Sequence, residues 1–306
     1  MNLGASEPAL IGVDWGTSSL RAFLVDAEGD VIDGVSASEG IMHVQGRSFG
    51  AVLDRLIGVW MTEKTLPILA SGMITSRNGW VETPYAKMPL GACRLGDQLH
   101  AYTSESGALV HFVTGAVAED GGRPDVMRGE ETQIIGAAAT GMRDGTFVMP
   151  GTHCKWVQVA DGKIVDFSTY MTGEVFSALK GHTILGTLMV DADFDEDVFV
   201  MGVRAGREAP SELLHNLFHV RTLPLTDKLS KKATAHYLSG LLIGTEIASA
   251  LVEAGDVEMV TVIGNSALTD RYEIALQISG VATRRASEDI VAKGHFMIAR
   301  AAGLIG

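Results

Sequence analysis

Two stretches of the chain repeat one arrangement, and that repeat restricts the possible folds more than any other feature. Residues 13–33, VDWGTSSLRAFLVDAEGDVID, and residues 148–168, VMPGTHCKWVQVADGKIVDFS, each read as strand, Gly-Thr turn, strand, turn built on Asp and Gly, strand. Short apolar runs supply the strands: Ala9 to Val13, Leu20 to Val25 and Val31 to Ala37, then Thr146 to Met149, Trp156 to Val159 and Ile164 to Phe167. A unit repeated at this distance predicts two structurally related α/β lobes. Two unrelated hairpins sharing ordinary turn chemistry are the alternative.

The rest of the chain fits that division. Phe49 to Met61 has helical spacing and Pro67 to Ala70 reads as a buried strand. After the second repeat, helices are expected at Glu174 to Met189, Ser211 to Val220 and Ala233 to Ala254. A strand at Val257 to Ile263 and helices at Asp270 to Ile278 and Ser287 to Ala302 follow. The turn residues Asp120-Gly121-Gly122-Arg123-Pro124 place the lobe boundary, giving 1–125 and 126–306.

A length of 306 residues with 46% hydrophobic and 20% charged residues supports two cores and no disordered segment. The formal charge of −13 argues against nucleic acid or an anionic membrane as partner, leaving room for a local basic pocket. Cys93 and Cys154 are too few for a disulfide framework and lack metal-type spacing. The N-terminus lacks the pattern of a leader and no apolar run reaches about 18 residues, so a cytoplasmic location is expected. Nothing in the sequence fixes the oligomeric state.

The first Gly-Thr turn carries the clearest chemistry. Asp14 closes a buried strand, and Gly16, Thr17, Ser18 and Ser19 follow with small side chains that let backbone N–H groups approach a phosphate. A carboxylate at that strand end suits Mg²⁺, which keeps much of its hydration and binds through one or two carboxylates plus phosphates. The second turn, Gly151, Thr152, His153, Cys154 and Lys155, offers a similar cradle and a lysine to neutralise phosphate charge. His153 reads as a hydrogen-bonding wall, and Cys154 as a packed thiol. Trp15, Trp80 and Trp156 flank these motifs, where packing with one N–H hydrogen bond explains them.

Four segments together, VDWGTSSLRAFLVD, SGMITSRNGWVETPY, MRGEETQIIGA and MPGTHCKWV followed by FSTYMTGE, resemble the acetate and sugar kinase, heat-shock chaperone and actin superfamily, and within it the 2-dehydro-3-deoxygalactonokinase family. The resemblance implies two ribonuclease-H-like lobes of the actin-like ATPase fold with an ATP cleft between them. It implies ATP and Mg²⁺ as the groups used, a sugar acid as the substrate, and phosphorylation of a terminal hydroxyl as the activity. The later VIGNSAL resembles the superfamily's adenosine-binding element, which implicates Gly264 and Asn265.

The resemblance also points to the acid/base group. Related kinases place an aspartate between the lobes, where this chain has Glu130 and Glu131. Glu130 is preferred because it follows Gly129 as the family aspartate follows its Gly or Asn; both carboxylates could instead complement a helix N-terminus. Arg77, with Asn78 beside it, lies in the loop expected to hold substrate, and a guanidinium can bind a sugar-acid carboxylate through two parallel bonds. Arg21 could contact phosphate or substrate. A kinase for another sugar or sugar acid, or a non-catalytic nucleotide switch on the same fold, are the competing functions.

Overall fold

The computed structural model describes residues 7–61, 65–120, 122–264, 266–287 and 289–306, with the side chains of Asp120 and Ser266 left aside. The chain divides into two compact units that interleave in sequence: residues 1–144, 159–167 and 288–306 form the first, and 145–158 with 168–287 form the second.

In the first unit the repeat becomes β1 (Pro8–Trp15), β2 (Leu20–Asp26) and β3 (Val31–Ala37), paired antiparallel in turn. After α1 (Phe49–Ile57), β4 (Ile68–Ser71) runs parallel to β1, so that Asp14 is the register partner of Ser71. The strand β5 (Tyr85–Lys87) and the short α2 (Ala92–Gly96) lead to β6 (His100–Thr103) and β7 (Leu109–Phe112), which complete a six-stranded sheet in the order β3-β2-β1-β4-β7-β6. Alternation along β1 sends Ile11, Val13 and Trp15 into a core with Phe49, Leu53 and Ile57 of α1. The opposite face carries Gly12 and Asp14. Next, β8 (Gly115–Asp120) and β9 (Arg123–Met127) form a small sheet with β5, which the sequence pattern does not announce. It leads directly into α3 (Glu130–Ala139).

The second repeat becomes β10 (Gly145–Met149), β11 (Cys154–Ala160) and β12 (Lys163–Tyr170). Then come α4 (Thr172–His182), α5 (Glu196–Glu208), α6 (Leu213–Leu225), α7 (Thr234–Ala254), β13 (Met259–Ile263), α8 (Ser266–Ile278), β14 (Ala282–Ala286) and α9 (Ile290–Ala301). The five-stranded sheet has the order β12-β11-β10-β13-β14. Helix α7 is long and apolar enough to cross a membrane, but most of it is buried within its unit.

The expected helix from Glu174 to Met189 stops at His182. Thr183 Oγ1 accepts the N–H of Leu185 and donates to the Leu179 carbonyl, and the chain folds back so tightly that a Cβ on Gly186 would lie 1.8 Å from the Lys180 carbonyl oxygen. Helix α5 is an element that the sequence pattern does not predict. It packs backbone to backbone on α7: a Cβ on Gly202 or Gly206 would fall 2.3 or 2.2 Å from the Tyr237 or Leu241 carbonyl, and one on Gly240 or Gly244 would meet α5 as closely. In the first unit α3 and α9 cross in the same way, through Gly136 against Ile290 and Gly294 against Thr132.

Candidate active site

Within the first unit three backbone segments meet at the end of β1. A Cβ on Gly72, which follows β4, would lie 2.8 Å from the Trp15 carbonyl and 3.4 Å from Asp14 Oδ1. A Cβ on Gly129, which precedes α3, would lie 3.0 Å from Gly72 Cα. Gly129 has φ +114°, a conformation other residues rarely adopt, so both close approach and backbone torsion demand glycine here. Asp14 is thereby brought to the start of the helix that opens with Glu130 and Glu131.

Asp14 Oδ2 accepts a 2.7 Å bond from Arg21 Nη2, while the turn Gly16 to Ser19 is closed by the Gly16 N–H donating to Ser19 O at 2.9 Å. Thr17, Ser18 and Ser19 are exposed. Gly40 supports this turn from behind, since a Cβ there would lie 2.3 Å from the Ser18 backbone. Trp15 is buried and its indole N–H donates to the Glu39 carbonyl, the packing role expected from sequence. One carboxylate with a cation on one oxygen and a glycine beside the other fits a hydrated Mg²⁺ held mainly by substrate phosphates.

The two glutamates separate. Glu131 is fully buried; its Oε2 accepts the Gly129 N–H at 2.8 Å and its Oε1 the Thr132 hydroxyl at 3.3 Å. Burial, then the neighbouring Glu130 charge, push its pKa up to about 8 against the pull of its backbone hydrogen bonds and Arg128. Glu130 is half-buried, and its Oε2 accepts the Arg128 N–H at 3.0 Å.

Sequence reasoning passes over Arg128, although it stands in the segment MRGEETQIIGA. Its Nη1 donates to Thr75 O (2.6 Å), Thr75 Oγ1 (2.7 Å) and Thr83 Oγ1 (2.8 Å), and its Nη2 to Thr83 O (3.1 Å). The guanidinium also covers the Tyr85 ring at 4.4 Å. One side chain therefore ties both ends of the Arg77 loop to the residues before α3. Arg77 and Asn78 are exposed at the loop's tip, where the Asn78 carbonyl accepts from Arg47 Nη1 at 3.1 Å. Among the described residues Arg77 forms no ion pair. His295 is likewise invisible in the sequence: fully buried on α9, its Nε2 lies 2.9 Å from Ser71 Oγ, and burial pushes its pKa down to about 3, so it is neutral.

The second unit holds the other turn. Gly151 is half-buried and Thr152 and His153 are exposed. The Glu174 N–H donates to Thr152 O at 2.9 Å, and His153 Nε2 lies 2.5 Å from Glu174 Oε2. A Cβ on Gly173 would lie 2.3 Å from Gly151 O, so the start of α4 clamps the turn. Lys155 is buried, with Nζ donating to Thr169 Oγ1 at 2.7 Å. Beneath lies buried Glu246, which accepts from Trp156 Nε1 at 2.8 Å, from the Tyr272 hydroxyl at 2.6 Å and from Thr172 Oγ1. Burial raises the pKa of Glu246 and of the adjacent Cys154 thiol. A cavity of about 60 Å³ opens beside Gly151, walled by Ser239, Leu242, Leu268 and Arg271. Gly264 lies next to Pro150, a Cβ there being 3.5 Å from the Pro150 carbonyl oxygen. Asn265 falls outside the described residues.

A model of the 2-keto-3-deoxy-galactonokinase family matches residues 14–298. The 2-dehydro-3-deoxygalactonokinase of Escherichia coli K12 is 36% identical over 270 residues, 88% of this chain and 90% of that protein. A crystal structure described as a 2-dehydro-3-deoxygalactonokinase from Sinorhizobium meliloti is 35% identical, covers 95% of this chain and 98% of its own, and superposes with a TM-score of 0.88. A gluconate kinase from Lactobacillus acidophilus, 11% identical and covering 96% of this chain and 89% of its own, superposes at 0.51 and shows the shared fold alone, that of sugar kinases and actin-like ATPases. The chain belongs to the 2-keto-3-deoxy-galactonokinase family.

Proposed function

We infer that this protein transfers the γ-phosphoryl group of ATP to the terminal 6-hydroxyl of 2-dehydro-3-deoxy-D-galactonate, giving the 6-phosphate and ADP. Family membership supports the reaction, and the convergence of Asp14, Gly72 and Gly129-Glu130 in one unit supports the roles. Phosphoryl transfer asks little covalent work of a protein and depends on positioning and charge stabilisation. The backbone N–H groups of Thr17, Ser18, Ser19, Gly151 and Thr152, with the Thr and Ser hydroxyls, take the phosphates, and Gly16, whose own N–H closes the first turn onto Ser19 O, leaves their approach open. His153 is a wall of the second turn, and Lys155 contributes its charge from within the sheet. Gly264 and Asn265, in the segment that resembles the adenosine-binding element, receive the adenosine. Bound Mg²⁺ would neutralise phosphate charge, and Asp14 is the residue that would hold it.

Glu130 is the general base. A base has to be ionised near neutral pH and within reach of the hydroxyl. Glu131 keeps its proton to about pH 8 and spends both oxygens on internal hydrogen bonds. Arg77 and Asn78, on the loop that Arg128 anchors, take the substrate carboxylate, and Arg21 holds Asp14 while facing substrate or phosphate. With its charge of −13 and this metabolic chemistry, we place the protein in the cytoplasm, acting on small molecules alone.

The test pairs two variants with a substrate panel. Glu130→Gln should lower kcat by about two orders of magnitude or more with ATP affinity unchanged, and Glu131→Gln should do much less. The reverse ranking would move the base to Glu131. Better turnover of neutral hexoses than of 2-dehydro-3-deoxygalactonate would overturn the sugar-acid reading and the role of Arg77.

A further inference from the structure

At the C-terminal end of α3 the first unit contains a cavity of about 400 Å³ built from residues that take no part in the candidate active site. Its size lies within the range of small-molecule pockets. The floor is apolar, with Ile135 and Ala138 of α3, and three cations stand at the rim: Arg94 of α2, Arg143 after α3, and Lys163 at the start of β12. Asp161, the one acid among the lining residues, is engaged by Arg143 at 3.0 Å, so the rim carries a net surplus of cations in a chain with 37 acidic and 24 basic residues. A positive cavity in an acidic protein concentrates anions locally.

The cations are also held in place before any ligand arrives. Arg94 Nη1 donates to the Pro89 carbonyl at 3.3 Å, and Arg143 is fixed by its bond to Asp161. The Lys163 stem crosses Gly91 so closely that a Cβ there would lie 3.1 Å from Lys163 Cγ. Two guanidiniums and an ammonium around an apolar floor match a ligand with a doubly charged head and a compact, sparsely hydroxylated carbon body. We propose that this cavity is a second ligand site, taking a small phosphorylated organic acid.

Phosphoenolpyruvate is a suitable probe, carrying phosphate and carboxylate on three carbons. Titration calorimetry on the whole protein should show saturable binding of one equivalent with Kd below about 1 mM. The double variant Arg94→Ala/Lys163→Ala should weaken it by about tenfold or more, the scale of one lost charged contact. A control that removes two exposed cations elsewhere, Lys231→Ala/Lys232→Ala, should leave it unchanged. Both variants should keep the parent's circular dichroism spectrum and urea midpoint, which shows that they fold. No saturation below about 10 mM, a smaller loss in the first variant, or an equal loss in the control would overturn the proposal. None of these readouts depends on the identity of the sugar acid, so a failure here leaves the kinase reading untouched, and the reverse also holds.

Discussion

Replacing Glu131 by glutamine removes one buried ionisation while keeping the shape of the site. The carboxamide oxygen can still accept the Gly129 N–H, and its NH₂ can donate to Thr132 Oγ1. In the native protein this carboxyl holds its proton to about pH 8, against an ordinary value of 4.5 that applies once the chain unfolds. Between those two values the native state binds more protons than the unfolded state, so stability falls as pH rises. The contribution is fully present below pH 4.5 and is lost as pH climbs through about 8. Over the whole window the loss amounts to roughly 4–5 kcal/mol, or about 1.4 kcal/mol per pH unit in its middle. Glu131→Gln should lack this slope and gain on the wild type as pH rises. Urea titrations between pH 5.5 and 8.5, followed by tryptophan fluorescence, would measure it, because Trp15, Trp60 and Trp80 all belong to the unit that contains Glu131. Parallel pH profiles for the two proteins would refute the argument.

Three other substitutions probe the remaining parts of the site. Asp14→Asn should cut turnover by about a hundredfold or more with little change in circular dichroism, and near-normal turnover at limiting Mg²⁺ would contradict its role. Gly151→Val should weaken ATP binding in a direct titration, because a β-branched side chain there would crowd the approach of a phosphate and restrict the turn backbone; unchanged affinity would make this turn structural only. Glu246→Ala strands the buried donors of Trp156, Tyr272 and Thr172 and should cost about 3–5 kcal/mol in chemical unfolding, with a loss below about 1 kcal/mol refuting the network.

The two hairpins are legible because each joins apolar runs through turns whose residue types leave few alternatives. Both Gly-Thr turns lie in those stretches, while the Glu130-Glu131 pair is read from the resemblance that MRGEETQIIGA carries. Helix α5 is not legible: Gly202 and Gly206 depress helix propensity and make sense only once α7 lies against them. Strand β14, Ala282–Ala286, carries two arginines at the edge of its sheet and shows no alternation to read. In the small sheet β5-β8-β9 the strands β5 and β9 are short and largely exposed, and β5 pairs with a strand that lies well beyond it in the chain. At the site, Arg128 and His295 act through distant residues, Thr75, Thr83 and Ser71, so no local pattern announces them. Burial alone separates Glu130 from Glu131, and adjacent letters in a sequence do not record burial.

The glycine contacts between α3 and α9 carry a mechanical consequence. Gly136 seats on the Ile290 carbonyl and Gly294 on the Thr132 carbonyl, so neither helix can slide along or roll over the other without driving backbone into backbone. The pair therefore travels as a single lever. Glu130 sits at one end of α3, while His295, the residue after Gly294, holds Ser71, the register neighbour of Asp14. A displacement of Glu130 is thus transmitted to the strand end that bears Asp14 and the first Gly-Thr turn.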